Sequence, residues 1–219
     1  MNRVFLIALA CLGASVAWGE GFGPTPYLQA SDSPWNSYTW SYHHLEDFED
    51  NLLNVPGVTV DHGNPYSNPA NCDSVDADDG TIDGSGLLGH SLFYTSGSTG
   101  VKFTFDANAL GQLPNYAGIV WTDGGGATTF TAFDANGVQI GQIIATTADG
   151  ASNGQTAEDR FYGWHSDAGI GSIHIKNASG GIEVDHLQYG LGQPVPEPAT
   201  FSAAALLGLL ARRKKNRSN

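Results

Sequence analysis

The segment Asp73 to Asp83 reads DSVDADDGTID and places five carboxylates, Asp73, Asp76, Asp78, Asp79 and Asp83, within eleven residues. Carboxylates packed this closely repel one another unless a cation sits among them. Calcium takes about six to eight oxygen ligands, mostly from Asp, Glu and backbone carbonyls, so these residues suit a calcium loop. The register is not that of an EF-hand, because Gly80 as the fixed glycine would put Val75 and Ala77 at ligand positions. A solvated acidic turn is the other use of the same residues. A second acidic group needs folding to assemble it. Glu46, Glu49 and Asp50 lie near the first strand pattern, and Glu183 and Asp185 near the last. Residues two apart on a strand share a face, so Glu183 and Asp185 point together. Glu49, Glu183 and Asp185 complete the set of candidate calcium ligands, in a structural rather than catalytic role.

Paired carboxylates also serve glycoside hydrolysis. Glu183-Val184-Asp185 resembles the Glu-x-Asp-x-x-Glu strand of laminarinase-like sandwiches, but Gln188 stands where the second catalytic carboxylate belongs. The chain therefore reads as non-enzymatic, with a glycan hydrolase or lyase as the rival. The seven histidines are scattered without zinc spacing, and no Gly-x-Ser-x-Gly elbow or P-loop lysine is present. Among the aromatics, Trp35 and Tyr38 lie in a polar stretch beside Pro34 and Asn36 and are candidates for an exposed sugar-stacking platform. The competing expectation is that strand aromatics fill a core.

The elements that must position these residues are strands. Val101–Asp106 alternates apolar and polar; Ala117–Trp121, Thr128–Asp134, Val138–Ile144, Asp159–His165, Ile170–Lys176 and Gly181–Tyr189 follow, with Tyr38–Glu49 and Val58–Asp61 before them. Asp134-Ala135-Asn136-Gly137 predicts a hairpin. The best helical stretch, Ala107–Gln112, is one turn. About nine short strands with glycine-rich turns, Gly124-Gly125-Gly126 among them, predict an all-β fold. The expected form is a single β-sandwich of jelly-roll type. In jelly-roll carbohydrate-binding modules the first and last strands are often neighbours and hold a structural calcium, an architecture that this acidic pattern resembles.

The ends differ in kind from the middle. Met1-Asn2-Arg3 followed by VFLIALACLGASVA makes residues 1–19 a secretory signal peptide. Residues 194–219 contain Pro196-Glu197-Pro198, an apolar helix-forming run from Ala199 to Ala211, and the basic residues Arg212, Arg213, Lys214, Lys215 and Arg217. The run is short for a stable span and predicts a temporary inner-membrane anchor. Residues 20–193 form the domain between, long enough for one core. Its 21 acidic and three basic residues (Lys102, Arg160 and Lys176) argue against nucleic acid and anionic lipid as partners. Cys72 is the one cysteine outside the signal, so no intramolecular disulfide can form, though a link between chains could.

The tail resembles the PEP-CTERM sorting signal of exported proteins in Gram-negative bacteria. That resemblance implies recognition by an exosortase and delivery to the cell surface or extracellular matrix. HLEDFEDNLLNVPGVTV, SVDADDGTIDGSG, AGIVWTDGG, GQTAEDRFYGW and IEVDHLQYG are similar to segments of a group of exported proteins with this same tail, a group that implies no activity. The expected role is a non-catalytic, polysaccharide-associated or adhesive module, with a purely structural coat protein as a further alternative.

Overall fold

The computed structural model describes residues 19–195. Its strands are β1 (Gly19–Pro26), β2 (Tyr38–Glu46), β3 (Val58–Val60), β4 (Asn64–Tyr66), β5 (Ser91–Tyr94), β6 (Val101–Phe105), β7 (Tyr116–Phe133), β8 (Gln139–Ala145), β9 (Arg160–Ser166) and β10 (Ser172–Pro194). One helical turn, α1 (Ala107–Leu110), is capped by the Asp106 side chain, which accepts from the N–H of Asn108. All strand pairs are antiparallel.

β7 and β10 pair with each other from Phe133 opposite Ser172 to Tyr116 opposite Gly190. The register slips between Asn177 and Ile182. There Gly126 (φ 81°) and Gly180 (φ 74°) adopt backbone angles that side chains resist, and the paired strands bend. On one side of the bend lies a layer ordered β3–β6–β10–β7–β8; on the other lies a layer ordered β1–β9–β7–β10, with β2 and the β5–β4 pair along the far edge of β10. The first is called the back layer here, the second the front layer.

The two layers share one core. The front layer gives Ala117, Ile119, Trp121, Tyr162, Val184, Leu187 and Tyr189; the back layer gives Phe103, Phe105, Phe130, Ala132, Ile173 and Ile175. Phe130 stacks on Tyr162 at 6.4 Å between centroids, and Phe105 meets Tyr189 at 4.8 Å. The single sheet is thus folded over on itself as a β-sandwich. A second apolar cluster covers the other face of the front layer. Tyr116, Val120 and Phe161 alternate with core residues along their strands, and Tyr27, Trp35 and Val75 pack onto them. The middle of the front layer, along β9, β7 and β10, is therefore buried on both sides.

Most sequence-predicted strands are present, with corrections. Ala117–Trp121 and Thr128–Asp134 belong to one strand, and so do Ile170–Lys176 and Gly181–Tyr189, because the glycines between them bend the chain without ending the ladder. β1, β4 and β5 were not expected; β1 (GEGFGPTP) and β4 (NPY) carry glycine and proline, which strands usually avoid. The Asp134–Gly137 hairpin forms as predicted, with Asp134 Oδ1 accepting from the N–H groups of Asn136 and Val138.

Phe130 is fully buried between the layers. Phe130→Ala should lower unfolding stability by about 3–5 kcal/mol, read from urea denaturation. A loss below about 1 kcal/mol would mean that the two layers do not pack through this ring.

Candidate cation-binding site

The outward face of the front layer carries acid next to its aromatics. Phe161 and Val120 point outward; Asp159 stands two residues before Phe161, Asp185 pairs opposite Val120, Glu183 lies two before Asp185, and Asp123 pairs opposite Glu183. The segment 67–90 lies across this face. The N–H of Asp73 donates to Glu183 Oε2 (2.8 Å) and the N–H of Val75 to Asp185 Oδ2 (2.9 Å). The N–H of Gly86 donates to the carbonyl of Gly154 (2.9 Å), and Ser85 bridges to Gln155, so the segment before β9 closes the other side. Asp73, Asp76, Glu158, Asp159, Glu183 and Asp185 are each at most 3% exposed.

Three of these carboxylates, Asp73, Asp159 and Glu183, are poorly compensated. Both oxygens of Asp159, Oδ1 of Asp73 and Oε1 of Glu183 are buried and complete no hydrogen bond. Ser91 lies near enough to Glu183 to lower its pKa slightly, without closing such a bond to Oε1. Arg160 adjoins Asp159 in the chain, but its Nη1 donates to the carbonyls of Ala157 (3.0 Å) and Asp159 (2.7 Å). Burial, then the charge of Glu183, pushes Asp73 up to about 9. Burial, then Asp123, pushes Glu183 up to about 8. Glu158 rises to about 7, mainly through burial, and Asp159 lies well above the carboxylate range through burial and then Asp73.

A second group adjoins the first. Asp78, Asp185 and His186 bring three potential ligand atoms within 4.8 Å of one another, an arrangement that could hold a metal ion. Its polar atoms are engaged apart from Asp78 Oδ2, which is buried and completes no hydrogen bond. Ser33 Oγ donates to Gln188 Oε1 (2.7 Å) and Gln188 Nε2 to Tyr27 Oη (2.9 Å); Tyr27 Oη meets His186 Nδ1 (3.0 Å), and His186 Nε2 meets Asp78 Oδ1 (3.0 Å). One assignment satisfies the chain: Tyr27 donates to Nδ1, and Nε2 carries the proton that Asp78 accepts. Burial, then Asp78, holds the Asp185 carboxyl well above its ordinary range.

Of the expected ligands, Asp73, Glu183, Asp78 and Asp185 are gathered on this face. The others are not. Asp76 accepts from the N–H groups of Asp83, Gly84 and Ser85 and from Thr156 Oγ1, so it closes its own loop. Asp79 caps the turn through Thr81, and Asp83 is exposed. Glu49 takes the N–H and Nδ1 of His90 (2.5 and 2.9 Å) instead of joining Glu183 and Asp185. Trp35 is 1% exposed and belongs to the outer apolar cluster, so it is no open platform; Tyr38 is half-buried. Cys72 is fully buried and burial pushes its thiol up to about 12, which does not fit a disulfide between chains. Pro196, Glu197 and Pro198 lie outside the described residues. Asp123, Glu158, Asp159 and His186 were missed. The strand period placed Asp159 two before Phe161, but nothing in the pattern said that this face would be covered.

The raised groups set the pH dependence of the protein free of divalent cations. Their folded pKa values lie near 7 to 9, against about 4 in the unfolded chain. A raised carboxyl pKa contributes stability fully below the unfolded value and loses it as pH rises through the folded one. In chelator, the thermal midpoint should fall from pH 5 to pH 9. A flat or rising profile would show that these carboxylates are compensated.

No protein-family model matches the chain, and no curated protein is detectably similar to it. Among solved structures, it is similar to the C-terminal family 22 carbohydrate-binding module of Clostridium thermocellum Xyn10B. The identity is 13% and the TM-score 0.36, over 72% of this chain and 97% of that one. It is also similar to the enzymatically active domain of bacteriophage CBA120 tailspike protein 4, with 16% identity and a TM-score of 0.26, over 77% of this chain and 22% of that one.

Proposed function

We propose that this chain is an exported, non-catalytic module of the bacterial cell surface or extracellular matrix that associates with polysaccharide. The observation that carries the binding part is an aromatic ledge on β2. Tyr38 and Trp40 are half-buried and stack at 5.8 Å and 24°, and His43 lies 4.6 Å from the Trp40 ring. β2 pairs on one side, with β10, which leaves this ledge at a sheet edge. A depression of about 390 Å³ adjoins it, lined by Thr39, Trp40, Ser41, Gly192 and Gln193. Aromatic faces beside hydroxyl and amide groups match a sugar ring, which offers C–H on its faces and O–H around its rim.

A bulge makes the ledge. Leu191 pairs with Tyr42 but Gly192 with Trp40, so Ser41 is the extra residue. Tyr42 therefore packs on the inner core, while Tyr38 and Trp40 join the outer cluster.

Hydrolysis fits less well. A glycosidase needs two carboxylates facing a cleft that admits sugar and water. Here the uncompensated oxygens of Asp73, Asp159 and Glu183 are sealed. The signal at residues 1–19 and the tail at 194–219 support export and exosortase sorting at Pro196-Glu197-Pro198. Structural calcium belongs to the same reading.

In affinity electrophoresis against exopolysaccharide from the producing cells, the intact protein should be retarded. Trp40→Ala should weaken that retardation at least tenfold while the protein still melts cooperatively. Unretarded wild-type protein would overturn the binding role. In cell fractionation, a chain lacking residues 194–219 should accumulate in the periplasm instead of reaching the surface; unchanged surface display would overturn the sorting role.

A further inference from the structure

We infer that Asp73, Asp159 and Glu183, flanked by Asp123 and Glu158, hold one calcium ion sealed between the front layer and the segment 67–90. This rests on the calcium part of the reading above and gives it a place.

Four oxygens on these three carboxylates, all at most 3% exposed, complete no hydrogen bond. A buried carboxylate oxygen without a donor is costly, and like charge buried nearby adds to the cost. A cation answers both terms. None of the three basic residues of the domain donates a hydrogen bond to these oxygens, and the charge of Arg160 offsets Asp159 and Glu158 only in part. Lys102 sits 5.0 Å from the Phe133 ring centre, Lys176 is exposed on the back layer, and Arg160 gives Nη1 to two carbonyls.

The donor chemistry selects the ion. The set is all oxygen, with no histidine, and the neighbouring Cys72 thiol is kept protonated by burial. Zinc favours nitrogen and sulfur, and magnesium keeps several of its waters, whereas calcium accepts a cage of protein oxygens. Asp78, Asp185 and His186 form a closer group, but both ring nitrogens of His186 are already engaged. The ligand atoms of Asp73, Asp159 and Glu183 lie further apart than those of that group, and calcium would draw them in to ligand distances of about 2.3–2.6 Å. A cavity of about 200 Å³, lined by Asp123, Gly124, Gly150, Ser152 and Gly181, opens beside Asp123.

The three ligands come from separate parts of the chain: Asp73 from the covering segment, Asp159 from the turn just before β9, and Glu183 from β10 past its bend. The ion would staple them. The test uses the intact protein stripped with chelator and titrated calorimetrically with calcium chloride, with magnesium chloride and zinc chloride in parallel. Thermal melts accompany each titration. The expected result is one calcium per chain and a midpoint raised by about 5–10 °C at roughly 100 times the dissociation constant. Asp159→Asn should abolish both the heat and the shift, yet melt in chelator no lower than wild type, because a buried repulsion is gone. Asp73→Asn reads the same loss if Asp159→Asn does not fold. Asp78→Asn should keep calcium binding. Calcium binding that survives Asp159→Asn but is lost in Asp78→Asn would overturn this site and leave the calcium reading standing. No calcium binding by wild type would overturn both.

Discussion

The pairing of β7 with β10 is the constraint on which the rest of the structure depends. β8 and β9 pair with β7, while β2, β5 and β6 pair with β10; β1, β3 and β4 attach one strand further out. The bend at Gly126 and Gly180 then decides what the two layers are. It swings the C-terminal half of β7 and the N-terminal half of β10 over their other halves, and the inward residues of all four halves meet in one core. It also fixes where Asp123 and Glu183 lie: opposite each other, just past the bend and next to the glycine-lined cavity.

An antiparallel sheet commonly has one dry face and one wet face, with residues alternating accordingly. The front layer keeps the alternation and loses the wet face. Tyr27, Trp35 and Val75 cover its aromatic end, and Asp73 to Gly86 cover its acidic end. Residues placed outward by the strand period thus become buried carboxylates. Burial of an unpaired charge is unfavourable by far more than one packing contact returns. The folded chain can hold these groups only as neutral acids or around a cation. The first state is available in acid and is lost toward pH 9; the second does not depend on protons being present.

The strand pattern was readable because inward residues such as Val101, Phe103 and Phe105 alternate with polar ones over whole strands. The two long strands were read as four pieces because glycine runs look like turns; only the continuous ladder shows that they are bends. The acidic segment was readable as composition, but its division of labour was not. Asp76 and Asp79 were equivalent to Asp73 in sequence, yet backbone N–H groups of their own loop satisfy them. Trp35 misled for a related reason. Its polar neighbours suggested exposure, whereas its ring lies against Phe161 at 5.0 Å under a covering segment. Local sequence carries strand faces and caps; it does not say which face another segment will cover.

The two ends of the covered face are not independent. From Asp78 the hydrogen bonds run through His186, Tyr27 and Gln188 to Ser33, whose Oγ also accepts from the N–H of Trp35 (3.3 Å). The carbonyl of Trp35 accepts from the N–H of Tyr38 (3.1 Å), at the start of the aromatic ledge. Asp185 joins this chain at His186 and holds Val75 of the covering segment through its other oxygen. An ion that fixes Asp73, two residues before Val75, thereby fixes one end of a hydrogen-bonded path whose other end sets Trp35 and Tyr38. If the ledge binds sugar as proposed, the path gives buried charge a physical reason to sit beneath it: what orders the acidic end would lower the entropy that the aromatic end must lose on binding.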